Sequence, residues 1–145
     1  MSPAVLPIVA GAFIFSAAIA PPDPAARTRV TVTQRDLVPL CLDGAGVEAD
    51  KRSWQLDQRE HSLAFTMRNR PRTRAPEPDK VPGVALVRFI PERGHRYEVE
   101  IRTSSPTAYS TRVWEQGTWK PVVRDRTLDR IVSSEPEWIA SRCQS

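Results

Sequence analysis

Tyr97, Val99 and Ile101 alternate with Arg96, Glu98, Glu100 and Arg102, and a period of two recurs along most of the chain. Successive side chains on a strand point to opposite faces, so this alternation suits a sheet with one buried and one wet face. It rules out a helical bundle as the main architecture. The stretch 28–34 places Val30 and Val32 on one face, and 37–42 is a more continuous apolar run containing Cys41. Asp43-Gly44-Ala45-Gly46 closes that run with a turn, because glycine tolerates positive φ. Trp54 and Leu56 form a short alternation. A polar turn at 57–60 follows, and then Leu63, Phe65 and Met67 alternate with Ser62, Ala64 and Thr66.

The stretch 84–90 predicts the next strand, joined to the one at Tyr97 by a hairpin connection over Pro91-Glu92-Arg93-Gly94. A second hairpin is predicted over 109–124, turning at Gln116-Gly117. Pro121 lacks an N–H, so the return strand is expected at a sheet edge. The one helical candidate is the short stretch 135–142. Seven or eight short strands with frequent turns predict an all-β fold, a small β-sandwich.

Residues 4–20 are apolar, uncharged and end in small residues before Pro21-Pro22-Asp23-Pro24, which reads as a secretory signal peptide. Ala18 and Ala20 compete as the cleavage site. Retained, the leader would serve as a membrane anchor. Residues 21–27 then form a Pro-rich linker, and 28–145 a single β-sandwich domain. The 21 Lys and Arg face 17 Asp and Glu, a formal net charge of +4. That excess is modest and interleaved. It fits an anionic partner weakly and does not describe a nucleic-acid groove.

Two cysteines, Cys41 and Cys143, lie downstream of the leader. In an exported domain they are expected to form one disulfide, stapling the C-terminal tail to an early strand. A thiol pair with redox work to do is normally close in sequence.

The order Trp54-x-Leu56-x-x-x-Glu60-His61-x-Leu63-x-Phe65, then Val87-x-Phe89-x-Pro91-Glu92-x-Gly94-His95-x-Tyr97-x-Val99, then Trp119-x-Pro121-x-Val123-x-Asp125, resembles a broad set of small exported bacterial proteins of unknown function. Many of these are described as lipoproteins. The resemblance spans about residues 54–125. It implies a transthyretin-like or immunoglobulin-like sandwich in the bacterial envelope. This chain has Arg59 where the first turn of that pattern usually has glycine, and it has no lipid-accepting cysteine at the end of the leader.

The search for chemistry returns few residues. There is no Gly-x-Ser-x-Gly elbow, no phosphate-cradling glycine loop and no pattern calling for a cofactor or metal. His61 and His95 each open a strand, as surface histidines often do. With Glu60 or Glu92 they define the one catalytic alternative, a metal-assisted hydrolase. Arg68, Arg70, Arg72 and Arg74 alternate through a loop that Pro71, Pro76 and Pro78 stiffen, and they are the first candidate binding surface. Trp114 and Trp119 flank the Gln116-Gly117 turn, and alternation predicts one in the core and one partly exposed. The expected function is a non-catalytic binding or structural module of the periplasm, exported or secreted. The partner is expected to be a protein or an anionic envelope component, and membrane contact is expected only through a retained leader. An inhibitor or immunity-type protein against an exported enzyme or toxin is the alternative.

Overall fold

Strands form where the period-two runs lie, in β1 (Thr28–Val32), β2 (Leu37–Leu42), β3 (Ala45–Gly46), β4 (Ser53–Leu56), β5 (His61–Met67), β6 (Val84–Phe89) and β7 (Arg96–Thr103). A short helix α1 (Thr107–Thr111) follows, then β8 (Trp119–Asp125), β9 (Arg130–Ile131) and β10 (Glu137–Ile139). The computed structural model describes residues 28–70, 81–104, 107–140 and 143. The leader at 4–20, the linker at 21–27, and Arg72 and Arg74 lie outside these residues. Among the described residues no helix is long and apolar enough to cross a membrane.

Two five-stranded sheets result, with orders β4-β1-β7-β8-β9 and β10-β6-β5-β2-β3. Pairing is antiparallel except between β1 and β7, which run parallel. The first sheet turns Val30, Val32, Trp54, Leu56, Tyr97, Val99, Ile101 and Val123 inward against Leu63, Phe65, Met67, Val87 and Phe89 of the second. This is a small β-sandwich. Each of these side chains stabilises the fold by on the order of 1.5–3 kcal/mol through burial. Truncating Phe65, which is fully buried, would cost about 3–5 kcal/mol.

Four expectations are corrected by this topology. Among the described residues strands number ten rather than seven or eight; β3 and β9 hold two residues each and β10 three, too few to show a period. The 135–142 stretch contains β10, paired with β6 through Glu137↔Leu86 and Ile139↔Val84, and not a helix. Pro91-Glu92-Arg93-Gly94 carries the chain from one sheet to the other, because β6 and β7 belong to different sheets. Finally, 109–124 is no hairpin: 107–111 is helical, and β8 pairs with β7 instead. Pro121 fits its strand because β9 covers β8 only at Arg124 and Asp125, leaving the outer side at Pro121 free of a ladder.

The disulfide joins Cys41 to Cys143 as expected, with Cα atoms 5.5 Å apart. It lies on the outer face of the second sheet, where Cys41 pairs with Ala64. There Leu40, Cys41, Ala64 and Leu86 form a satellite core with Val38, Val84 and Ile139 around it. Leu40 faces that side by alternation with Val38, and Cys41 joins it there because the register shifts between Pro39 and Cys41.

Candidate functional site

Three backbone segments are stitched together at the β1–β2 connection. The Arg68 N–H donates to the Asp36 carbonyl at 2.7 Å, and the Arg70 N–H donates to the Arg112 carbonyl at 2.7 Å. The Trp114 N–H donates to Asn69 Oδ1 at 2.7 Å. Arg52 fixes the connection from below, its guanidinium donating to the carbonyls of Leu37 at 2.6 Å, Gln34 at 3.2 Å and Arg35 at 3.2 Å. Residues 33–36, Arg70, Tyr109, Arg112 and Trp114 enclose a cleft of about 340 Å³ with a mainly polar wall. That volume is at the lower end for sites holding a small molecule.

Positive charge dominates this cleft. Arg35, Arg70 and Arg112 face one carboxylate, Asp36, which pairs with Arg70 Nε at 3.2 Å. One of three guanidiniums is thereby neutralised. Among the described residues no carboxylate pairs with Arg35 or Arg112. Arg112 adopts φ +54°, the left-handed region, directly after α1. Glycine is the usual residue at such a helix end, and a side chain there costs on the order of 1–2 kcal/mol. An outlier of this kind is found where placement of the side chain matters.

The floor is aromatic. Tyr109 meets Trp114 edge-on with centroids 5.4 Å apart. The Tyr109 hydroxyl donates to the Ile101 carbonyl at 3.1 Å, so the ring is held in place although the residue is 45% exposed. Trp114 is 1% exposed, and its Nε1–H has no acceptor among the described residues. Leaving such a donor unpaired costs about 1–3 kcal/mol. Trp54 in β4 has a second such indole, but it is not part of this wall.

Of the residues singled out in the sequence, the fold brings Arg70 and Trp114 together. Arg68 is exposed beside them, joined to Asp36 through its backbone. Trp119 lies elsewhere. Its Nε1–H donates to the Pro82 carbonyl at 2.8 Å, and it packs edge-on against Trp138 at 5.1 Å. Both Trp114 and Trp119 are buried, contrary to the expectation of one exposed partner. The reason is local. Trp114 enters the core from a segment outside any strand, so alternation about the turn at Gly117 does not govern it. Arg35, Asp36, Tyr109 and Arg112 were missed. The Arg35-Asp36 pair in a break between two apolar runs was the available signal.

The histidines occupy two separate carboxylate clamps. His61 is 3% exposed, with Nδ1 at 2.7 Å from Asp43 Oδ2 and Nε2 at 2.8 Å from Asp57 Oδ1. It is not the surface histidine expected. Asp43, at φ +51° in the Asp43-Gly44 turn, also accepts the Ser62 N–H at 2.9 Å and so fastens that turn to β5. Burial works to raise the Asp57 pKa, but the Arg59 N–H, the His61 ring and the Arg59 charge outweigh it and hold the group below its ordinary value. His95 places Nδ1 at 2.7 Å from Asp125 Oδ2 and Nε2 at 3.5 Å from Glu92 Oε2. Burial also opposes ionisation of Asp125, yet the His95 bond and the Leu128 and Thr127 N–H groups lower its pKa. Among the described residues no group of three or more His, Cys, Asp or Glu side chains is arranged to hold a metal ion.

No family model, curated protein or solved structure matches this chain. The chemistry available is that of the cleft itself. It offers guanidinium donors, hydroxyl and amide groups from Thr33 and Gln34, and a fixed aromatic face.

Proposed function

We propose that this chain is an exported, non-catalytic binding module of the bacterial envelope that holds an anionic group in the cleft between residues 33–36, Arg70 and Arg112. The observation that carries the reading is charge: three arginines against one aspartate, on segments fixed by short backbone bonds. A charge-assisted hydrogen bond contributes about 1.5–3 kcal/mol, and a pre-set site loses little entropy on binding. Exposed charges alone give ~0–1 kcal/mol each, so convergence matters more than number. The disulfide supports an oxidising compartment. The hydrolase alternative finds no support in the histidines, since each is already held by its own carboxylates.

Titration of the full chain with poly-L-glutamate, with polylysine as control, tests the reading. Binding should weaken as salt rises from about 20 to 200 mM, because screening reaches exposed pairs. It should be lost in R35S/R112S at unchanged melting temperature. A wild-type chain that ignores the polyanion at low salt would overturn the proposal.

A further inference from the structure

Resting on that reading, we infer that the anion is carried by a sugar. The oxyanion sits between Arg35 and Arg112, and the apolar face of the sugar ring lies on Tyr109.

Size is the first argument. A cleft of about 340 Å³ takes one residue of a polymer or one small molecule, and not a folded partner. Composition is the second. A purely apolar ligand would need an apolar wall, whereas here the wall is mainly polar: Thr33, Gln34 and the Asp36–Arg70 pair are groups of the kind that hydrogen-bond ring hydroxyls. The third is the aromatic face. Tyr109 is 45% exposed yet anchored twice, by its hydroxyl to Ile101 and by its perpendicular ring contact with Trp114. An anchored, half-exposed ring is a platform for a flat apolar surface, and a sugar ring supplies that surface with polar groups around its rim.

One feature of the backbone points the same way. Arg112 holds a left-handed conformation that glycine would take without strain, which is understandable if its guanidinium is needed at that place. The Trp114 Nε1–H is buried without an acceptor among the described residues, and Trp114 lines this cleft, so its indole signal reports on a ligand bound there. Carboxylate and phosphate share this recognition chemistry, since both accept the guanidinium fork.

The experiment is a ¹⁵N–¹H NMR titration of the full chain, with the Trp114 indole signal assigned through W114F. The probes are glucuronate, glucose 6-phosphate, glucose, acetate and inorganic phosphate. At least one of the two anionic sugars should saturate the protein and move the Trp114 indole signal. It should bind tenfold or more tightly than acetate, phosphate or glucose. Preference between glucuronate and glucose 6-phosphate distinguishes the two sources of charge. Y109A and R112G should each weaken that binding at least tenfold; glycine is chosen because it suits φ +54°, so the R112G melting temperature should stay level or rise by a few degrees. If acetate or phosphate binds as tightly as the sugars, the platform claim fails while the anion site stands. If polyglutamate binds and no sugar does, the inference alone falls. If neither binds, both readings fail.

Discussion

Reducing the Cys41–Cys143 bond should remove a large share of the stability of this domain. The two cysteines are 102 residues apart. On the chain-entropy relation, closing a loop of that length withholds about 16 cal/mol/K from the unfolded chain, or about 4.7 kcal/mol at 25 °C. Domains of this size have total stabilities of about 5–15 kcal/mol. Native contacts at the tail add to this. Cys143 ends the segment carrying β10, which meets the second sheet through three residue pairs with β6 and covers the satellite core at Leu40, Ala64 and Leu86. Without the bond that cover is held by Ile139, the three pairs, the Trp138–Trp119 contact and the Arg88–Glu137 ion pair at 3.1 Å. The assay is urea unfolding of the full chain, oxidised and as C41A/C143A, followed by tryptophan fluorescence. We expect a loss of about 3–5 kcal/mol and a larger m-value, since the unlinked unfolded chain exposes more surface. Hydrogen exchange should show β10 opening first in the variant. A midpoint shift worth less than about 1 kcal/mol, with β10 still protected, would refute the reasoning.

Acid should destabilise the protein through Asp125 and Asp57. Both carboxyls lie below their ordinary values in the fold. Their contribution is therefore present above the unfolded pKa of about 3.9 and is lost as pH falls through the lower folded value. D125N should be less stable at pH 7 and show a flatter fall between about pH 5 and 2 in urea titrations; an unchanged slope contradicts the assignment. H61A removes a buried ring and both of its carboxylate bonds. It should cost about 2–4 kcal/mol in the same assay, whereas a loss under 0.5 kcal/mol would show that the clamp is not structural.

The sandwich was legible because β1, β5 and β7 are long enough for alternation to show, and Val30, Leu63, Phe65, Val99 and Ile101 all point inward as the period requires. The Gly44 and Gly94 turns were legible for a related reason: both residues take positive φ. What could not be read was anything set by tertiary contact. Ala64 looked like part of a wet face, but the satellite core on the outer face of the second sheet buries it. The sequence pattern makes His61 a surface strand opener, and only the fold brings Asp43 and Asp57 to its two nitrogens. The connection at 91–94 looked like a hairpin because local turn chemistry is the same whether a chain returns along one sheet or crosses to another. Of the site, Arg70 and Trp114 were found by charge density and aromatic content. Arg35, Tyr109 and Arg112 were not, because sequence spacing carries no sign that residues 33–36, 68–70 and 112–114 meet.

A crystal structure of the full chain soaked with glucuronate and with glucose 6-phosphate tests the central claim most directly. The account predicts an oxyanion within about 2.7–3.2 Å of the Arg35 or Arg112 guanidinium, with the sugar ring against Tyr109. A sugar bound instead in the groove of Arg102, Lys120, Trp119 and Trp138, or an arginine cleft free of sugar at saturating concentration, would contradict it.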